Sequence, residues 1–394
     1  ATITYTTAAG CTDTYAVTVN GSPVIGGTLS ATVGGTSALS VSIDGSTVTG
    51  GTWSDNSSHI SIDPSTGVVT AASSITGSSQ TATVTYTHTT GCEATATFTV
   101  YAAPGVTSTV TDVCVGSSIT LSATPSGGSW SGNDATVATV TSSGVVTGVA
   151  AGTVSATYTD AYGGTSSVSI TVHALPVYST TAATAVCVGG NLSLSATPVG
   201  GTWSLVGTTN KATLSGSTLA ANSSGTVTVR YTTSTGCYVD QQITLNGLPA
   251  VDAGSAQSVC AGGSVTLTAT GASTYTWDNG VTQGNSFVPT VTKTYTVTGT
   301  DGNGCVNTDQ VIVTVNEVPT ITGSSATVCE GSTLTLNTSV GGGSWTSGNT
   351  GVATVNATTG VVTGVSSGSA TITYTTAAGC TDTYAVTVNG SPVI

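Results

Sequence analysis

The sequence predicts an all-β protein: a tandem array of five β-sandwich domains, preceded by a hairpin that belongs to one more. Three observations carry this. Residues 1–25, ATITYTTAAGCTDTYAVTVNGSPVI, recur letter for letter at 370–394, and a fixed internal period is the mark of a repeat architecture. The alphabet is dominated by Thr, Ser, Gly, Val and Ala, in which β-branched residues favour strands and Gly serves turns. Aromatic residues are spaced along the chain, as a series of small cores requires.

Residues 1–22 read as two strands joined by the turn AAGC. Alternation puts Ile3 and Tyr5 on one face and Thr2 and Thr4 on the other. A lone hairpin is marginal in water, so this piece is expected to complete a sandwich begun in a preceding copy. The chain then reads as a window, slightly longer than one period, from a series of near-identical copies.

Five units follow, each opened by a proline: Pro23, Pro104, Pro176, Pro249 and Pro319, with Pro392 opening the next. The spacings of 81, 72, 73, 70 and 73 residues total the 369-residue shift between the identical ends. The expected domains are 23–103, 104–175, 176–248, 249–318 and 319–394. Each carries one Trp (Trp53, Trp130, Trp203, Trp277, Trp345), four of them in GG(T/S)W, and one Tyr in the penultimate strand (Tyr86, Tyr158, Tyr231, Tyr295, Tyr374). Seven short strands with turn signals every 8–12 residues read as an immunoglobulin-like β-sandwich, with the Trp as core plug.

Residues 134–160, DATVATVTSSGVVTGVAAGTVSATYTD, and 351–376, GVATVNATTGVVTGVSSGSATITYTT, resemble bacterial group 2 immunoglobulin-like (BIG2-like) repeats. IDPSTGVVTAAS in the first unit is similar. The fourth unit departs: CAGGSVTLTATGASTYTWDNG followed by TKTYTVTGTDGNGC resembles the PKD/Ig-like repeats of giant secreted Bacteroidetes surface proteins. The third is a looser variant without the VVTGV run. The resemblance covers nearly the whole chain and implies an extracellular, cell-surface setting. It does not discriminate among adhesins, filaments, stalks and spacers.

Only 5% of the 394 residues are charged, against about 25% in an average soluble domain. The basic residues are Lys211, Arg230 and Lys293 alone, and the net charge is −13. Nucleic acid and anionic membrane are therefore poor partners, since both need clustered Lys and Arg. No run approaches the roughly 20 apolar residues of a membrane helix, so membrane insertion is not expected.

The nine cysteines occupy two kinds of place. Cys114, Cys187, Cys260 and Cys329 lie in VC(V/A/E)G, at the turn after the first strand; Cys11, Cys92, Cys237, Cys305 and Cys380 follow Gly at the last hairpin turn. No CxxC pair or His cluster suggests zinc. Pairing within domains would give 187–237, 260–305 and 329–380. Against it, the two places lie at opposite poles of a sandwich, roughly 20–25 Å apart for a seven-residue strand, whereas bridged Cα atoms lie within about 7 Å. Unit 1 also lacks the first-turn Cys, with Gly34 near that place, and unit 2 has Gly164 where the hairpin Cys would stand. Pairing each first-turn Cys with the next domain's hairpin Cys yields Cys114–Cys237, Cys187–Cys305 and Cys260–Cys380. Cys11, Cys92 and Cys329 would then bond to neighbouring copies, and both absences fall at the junction of units 1 and 2. Bridges across junctions predict a stiff rod with a softer point there.

Candidate active sites are thin. His59, His88 and His173 are scattered and adjoin no nucleophile with a placed acid, and Asp301-Gly-Asn303-Gly reads as a hairpin turn. No enzyme activity, cofactor or metal is expected. The leading expectation is the structural repeat region of a giant exported fibre or adhesin stalk whose partners are adjacent identical copies. The alternatives are an adhesive module that binds glycan, another surface ligand or neighbouring fibres, and separate subunits polymerised by strand exchange through the 1–25 hairpin.

Overall fold

The computed structural model describes residues 1–179, 183–207 and 210–391; Pro392 lies outside them. Contacts divide the chain into two units. The first comprises Ala1–Ser179, Ser195–Ser204 and Arg230–Gln241, the second Thr180–Leu194, Leu205–Val229 and Gln242–Ile394. The first unit holds the 1–22 hairpin, repeats 1 and 2 and part of repeat 3. The second holds the remainder of repeat 3 with repeats 4 and 5. The described residues are strands and turns apart from one 3-10 turn, Asp278–Gly280. The fold is that of immunoglobulin-like β-sandwiches in series.

Repeat 5 displays the plan in full. One sheet contains, in order, Ile321–Gly323, Thr333–Thr338, Val361–Gly364 and Ala353–Val355; the other contains Thr327–Cys329, Thr381–Asn389, Gly368–Thr375 and Ser344–Ser347. Period-two alternation turns Ala370, Ile372 and Tyr374 inward and leaves Ser369 and Thr371 outside. The inward set packs with Leu334, Leu336, Trp345 and Val386.

Eight strands stand where seven were expected, because the first one is broken. Ile321–Gly323 pairs antiparallel with Thr333–Thr338, whereas Thr327–Cys329 pairs parallel with Thr381–Asn389. Packed sheets lie about 10 Å apart, so one straight strand cannot bond to both. Crossing over at small residues lets one segment extend an edge of each. Repeat 1 does the same through Pro23–Gly27 and Ser30–Thr32. Pro23, which opens the first unit, is the buried first residue of a strand, a place where its missing N–H is tolerated.

The GG(T/S)W motif has a steric cause. The Trp strand pairs with the Tyr strand, setting Trp345 opposite Tyr374 and Trp130 opposite Tyr158. The phenol then folds over the second glycine: Tyr374 Oη accepts the Gly343 N–H at 2.7 Å, and Tyr158 Oη accepts that of Gly128 at 2.7 Å. A Cβ on Gly343 would stand 2.2 Å from the Thr375 carbonyl oxygen, and one on Gly128 2.2 Å from that of Thr159. No side chain fits there.

Trp53, Trp130, Trp277 and Trp345 are buried. Trp203, expected to be a core plug as well, is only half-buried, its ring 4.8 Å from that of Tyr231 and 6.0 Å from that of Tyr178. In repeats 1, 2 and 5 a turn glycine (Gly67, Gly144, Gly360) lies against the indole. Repeat 4 solves the same problem with a polar group: Trp277 Nε1 donates to Gln283 Oε1 at 2.7 Å.

Candidate functional site: the cysteine junctions

The broken first strand decides where its cysteine lies. Parallel pairing sets Cys114 beside His173, Cys187 beside Asn246, Cys260 beside Asn316 and Cys329 beside Asn389. Each partner is the last residue of its repeat's final strand. The first-turn cysteine therefore stands at the pole where the chain leaves the repeat.

The hairpin cysteine is fixed by its turn. Thr376 N donates to the Cys380 carbonyl at 2.9 Å, and Cys380 N donates back to Thr376 Oγ1 at 3.0 Å. In repeat 4 an aspartate takes the threonine's place, with Asp301 Oδ1 accepting from Asn303 N and Cys305 N, each at 2.8 Å. That carboxylate is thus occupied by backbone donors. Gly379, at φ +86°, turns the chain ahead of Cys380.

Three disulfides are present, each inside one unit. Cys114–Cys237 lies in the first unit with Cα atoms 5.6 Å apart; Cys187–Cys305 and Cys260–Cys380 lie in the second at 5.6 and 5.7 Å. They close loops of 123, 118 and 120 residues. The hairpin partners Cys237, Cys305 and Cys380 are fully buried. Cys11 and Cys329 are free and exposed, and Cys92 is free and half-buried.

The junction of repeats 1 and 2 has the same architecture without sulfur. Ser30–Thr32 runs parallel to Glu93–Tyr101 with Thr32 beside Tyr101, and Val33 N donates to the Tyr101 carbonyl as Val115 N does to that of His173. Thr32 therefore takes the cysteine's place; Gly34, expected near it, falls two residues later, in the turn. Across from it, a Cβ on Gly164 would lie 2.5 Å from Thr32 Cγ2. Beside this contact the Tyr101 and Tyr162 rings stack, centroids 3.5 Å apart and planes 11° off parallel. The hydrogen bond between the two phenols holds that of Tyr101 above its ordinary range.

The double variant Thr32→Cys/Gly164→Cys is expected to form a fourth disulfide on air oxidation. A peptide containing 32 and 164, found by non-reducing mass spectrometry, checks it. Gly164→Cys alone should destabilise repeat 2, because its side chain meets Thr32 without the option of bonding.

The histidines serve local contacts where they have any: His173 Nε2 lies 2.6 Å from Asp112 Oδ1, and His88 Nδ1 2.8 Å from Thr90 Oγ1. Among the described residues no group of three or more His, Cys, Asp or Glu side chains could hold a metal, and no helix is long and apolar enough to cross a membrane.

No family model matches this chain, and no curated protein does. Solved structures do. The eight N-terminal Ig domains of Down syndrome cell adhesion molecule align over 97% of this chain and 72% of that one, at 14% identity and a TM-score of 0.27. Invasin, described as a bacterial integrin-binding protein, aligns over 79% of this chain and 76% of its own, at 14% identity and a TM-score of 0.27. Immunoglobulin domains 1–5 of sidekick-1 align over 94% and 99%, at 14% identity and a TM-score of 0.20. At these values the likeness says nothing about function.

Proposed function

We propose that this chain is a structural segment of an extracellular bacterial fibre or adhesin stalk, in which the repeats supply length and sulfur bridges stiffen their junctions. One observation carries the reading: each disulfide joins two different repeats. A bond inside a sandwich strengthens that sandwich, whereas a bond across a junction restrains how successive sandwiches bend and swivel. Disulfides persist in oxidising compartments, which supports an exported location. The near-absence of Lys and Arg removes trypsin-type cleavage sites, useful to a protein outside the cell. Burial of four of the five indoles leaves little Trp surface for stacking on sugar, which favours the stalk over the glycan-binding module.

Electron microscopy of the full chain before and after reduction tests this. The contour length should be retained and the persistence length should fall on reduction, with the oxidised chain bending most between repeats 1 and 2. Equal flexibility in the two states would overturn the proposal.

A further inference from the structure

Of the junctions between repeats 1 and 5, those that follow repeat 2 are bridged by sulfur and the first is not. The two tyrosines stacked at that first junction depart from the repeat pattern just as the missing cysteines do. Tyr101 ends the last strand of repeat 1, at the place where His173, Asn246, Asn316 and Asn389 end theirs. Tyr162 lies in the last hairpin turn of repeat 2, at the place that Thr90, Thr235, Asn303 and Ala378 hold in the others. Both aromatic departures therefore fall where both cysteines are absent. The turn fixes the second ring: Asp160, 6% exposed, accepts through Oδ1 from Tyr162 N at 2.9 Å and from Gly164 N at 2.8 Å.

The rings are also placed unlike the core pairs. Trp53–Tyr86, Trp130–Tyr158 and Trp345–Tyr374 are tilted by 59°, 55° and 55°, with centroids 5.0, 5.2 and 4.8 Å apart, the kind of arrangement aromatic pairs generally prefer. Tyr101 and Tyr162 lie face to face instead, at 3.5 Å and 11°. Their phenols hydrogen-bond to each other, so the oxygen-bearing ends of the rings coincide and the carbons ortho to the oxygens lie against one another. Tyr162 is 45% exposed and Tyr101 half-buried. A cleft of about 410 Å³, bordered by Ser78, Ser79, Ala102 and Pro125, opens onto both rings and admits a small molecule.

We propose that Tyr101 and Tyr162 form a modification site, at which a peroxide oxidant joins them in a carbon–carbon dityrosine bond that staples repeats 1 and 2 where sulfur is absent. Each phenol gives up one electron and one proton, leaving two phenoxyl radicals. Their ortho carbons join in one C–C bond, and the hydrogen that each of those carbons carried moves as a proton to its own ring oxygen, which restores both phenols. The two electrons and two protons reduce one O–O bond, turning hydrogen peroxide into two molecules of water. Before this reaction the junction is held by packing alone, which is why it bends most; afterwards it carries a bond that thiols do not cleave. The inference stands on this junction and does not depend on the fibre reading.

The test illuminates the dilute full chain with tris(bipyridyl)ruthenium and persulfate, a peroxide whose reduction gives two sulfate ions. The monomer is then reduced, alkylated, digested and analysed by mass spectrometry. The expected product is a pair of peptides joined through positions 101 and 162, lighter than its parts by two hydrogens. Tyr101→Phe and Tyr162→Phe each keep a ring on both sides of the stack and remove one phenol. Each should abolish that pair and cut the monomer's dityrosine fluorescence by more than about tenfold, since radicals couple within one chain chiefly where the rings are already in contact. A Cys114–Cys237 peptide in an unreduced digest reports that each variant is folded. Dityrosine found only between other tyrosines, or fluorescence undiminished in the Phe variants, overturns the inference.

Discussion

Removing one junction bridge, as Cys187→Ala/Cys305→Ala, is expected to uncouple the unfolding of the two repeats it joins. The bond closes a loop of 118 residues, for which the chain-entropy model gives roughly 4–5 kcal/mol at 25 °C, and native disulfides of small secreted domains contribute about 2–5 kcal/mol by experiment. That is comparable with the whole stability of a sandwich of this size, since folded domains retain only about 0.05–0.15 kcal/mol per residue. The bond also makes each repeat a tether on the other, and full loop entropy is released only when both unfold. Urea titration should therefore show a shared transition in the oxidised protein and two earlier, shallower ones in the variant, because the denaturant slope scales with the surface exposed in each step. Coincident curves for the two proteins would mean that the bridge carries no mechanical coupling.

Trp345→Ala is expected to cost sandwich 5 about 3–5 kcal/mol, the usual loss for truncating a large buried aromatic side chain. Trp345 is 4% exposed, packs on Tyr374 at 4.8 Å between ring centroids, and closes against Gly360. Nothing on the far side of so thin a core can move in to fill the space. Trp203→Ala should cost repeat 3 distinctly less, because its indole already faces solvent in part. Denaturation of both variants, followed by the tryptophans that remain, compares them directly. Equal losses would show that Trp203 is as well packed as Trp345.

Much of this architecture was legible beforehand. Thr/Val alternation and the glycine-marked turns located the strands because side-chain direction in a strand repeats every two residues. GG(T/S)W located the core indole because its glycine answers a contact within one pair of neighbouring strands. The cysteines sorted themselves into two classes for a similar reason: each class sits in a turn whose bonds are local. The break in the first strand was not legible, since crossing between sheets depends on where the opposite sheet lies and leaves only small residues as its trace. For that reason the sequence put Gly34 only near the cysteine's place, whereas parallel pairing with Tyr101 sets Thr32 in it.

The sequence by itself determined the local chemistry: which residues extend, which turn, which face inward, and which turns carry sulfur. Only the tertiary structure sets the bridged Cα atoms 5.6 Å apart, because that distance is fixed between residues more than a hundred positions apart in consecutive repeats. The 25 duplicated residues make the distinction concrete. One stretch of letters forms the same hairpin in the same register twice, yet Tyr374 is buried and Tyr5 is open to solvent. A hairpin's hydrogen bonds are internal to it, whereas burial belongs to whatever packs on top.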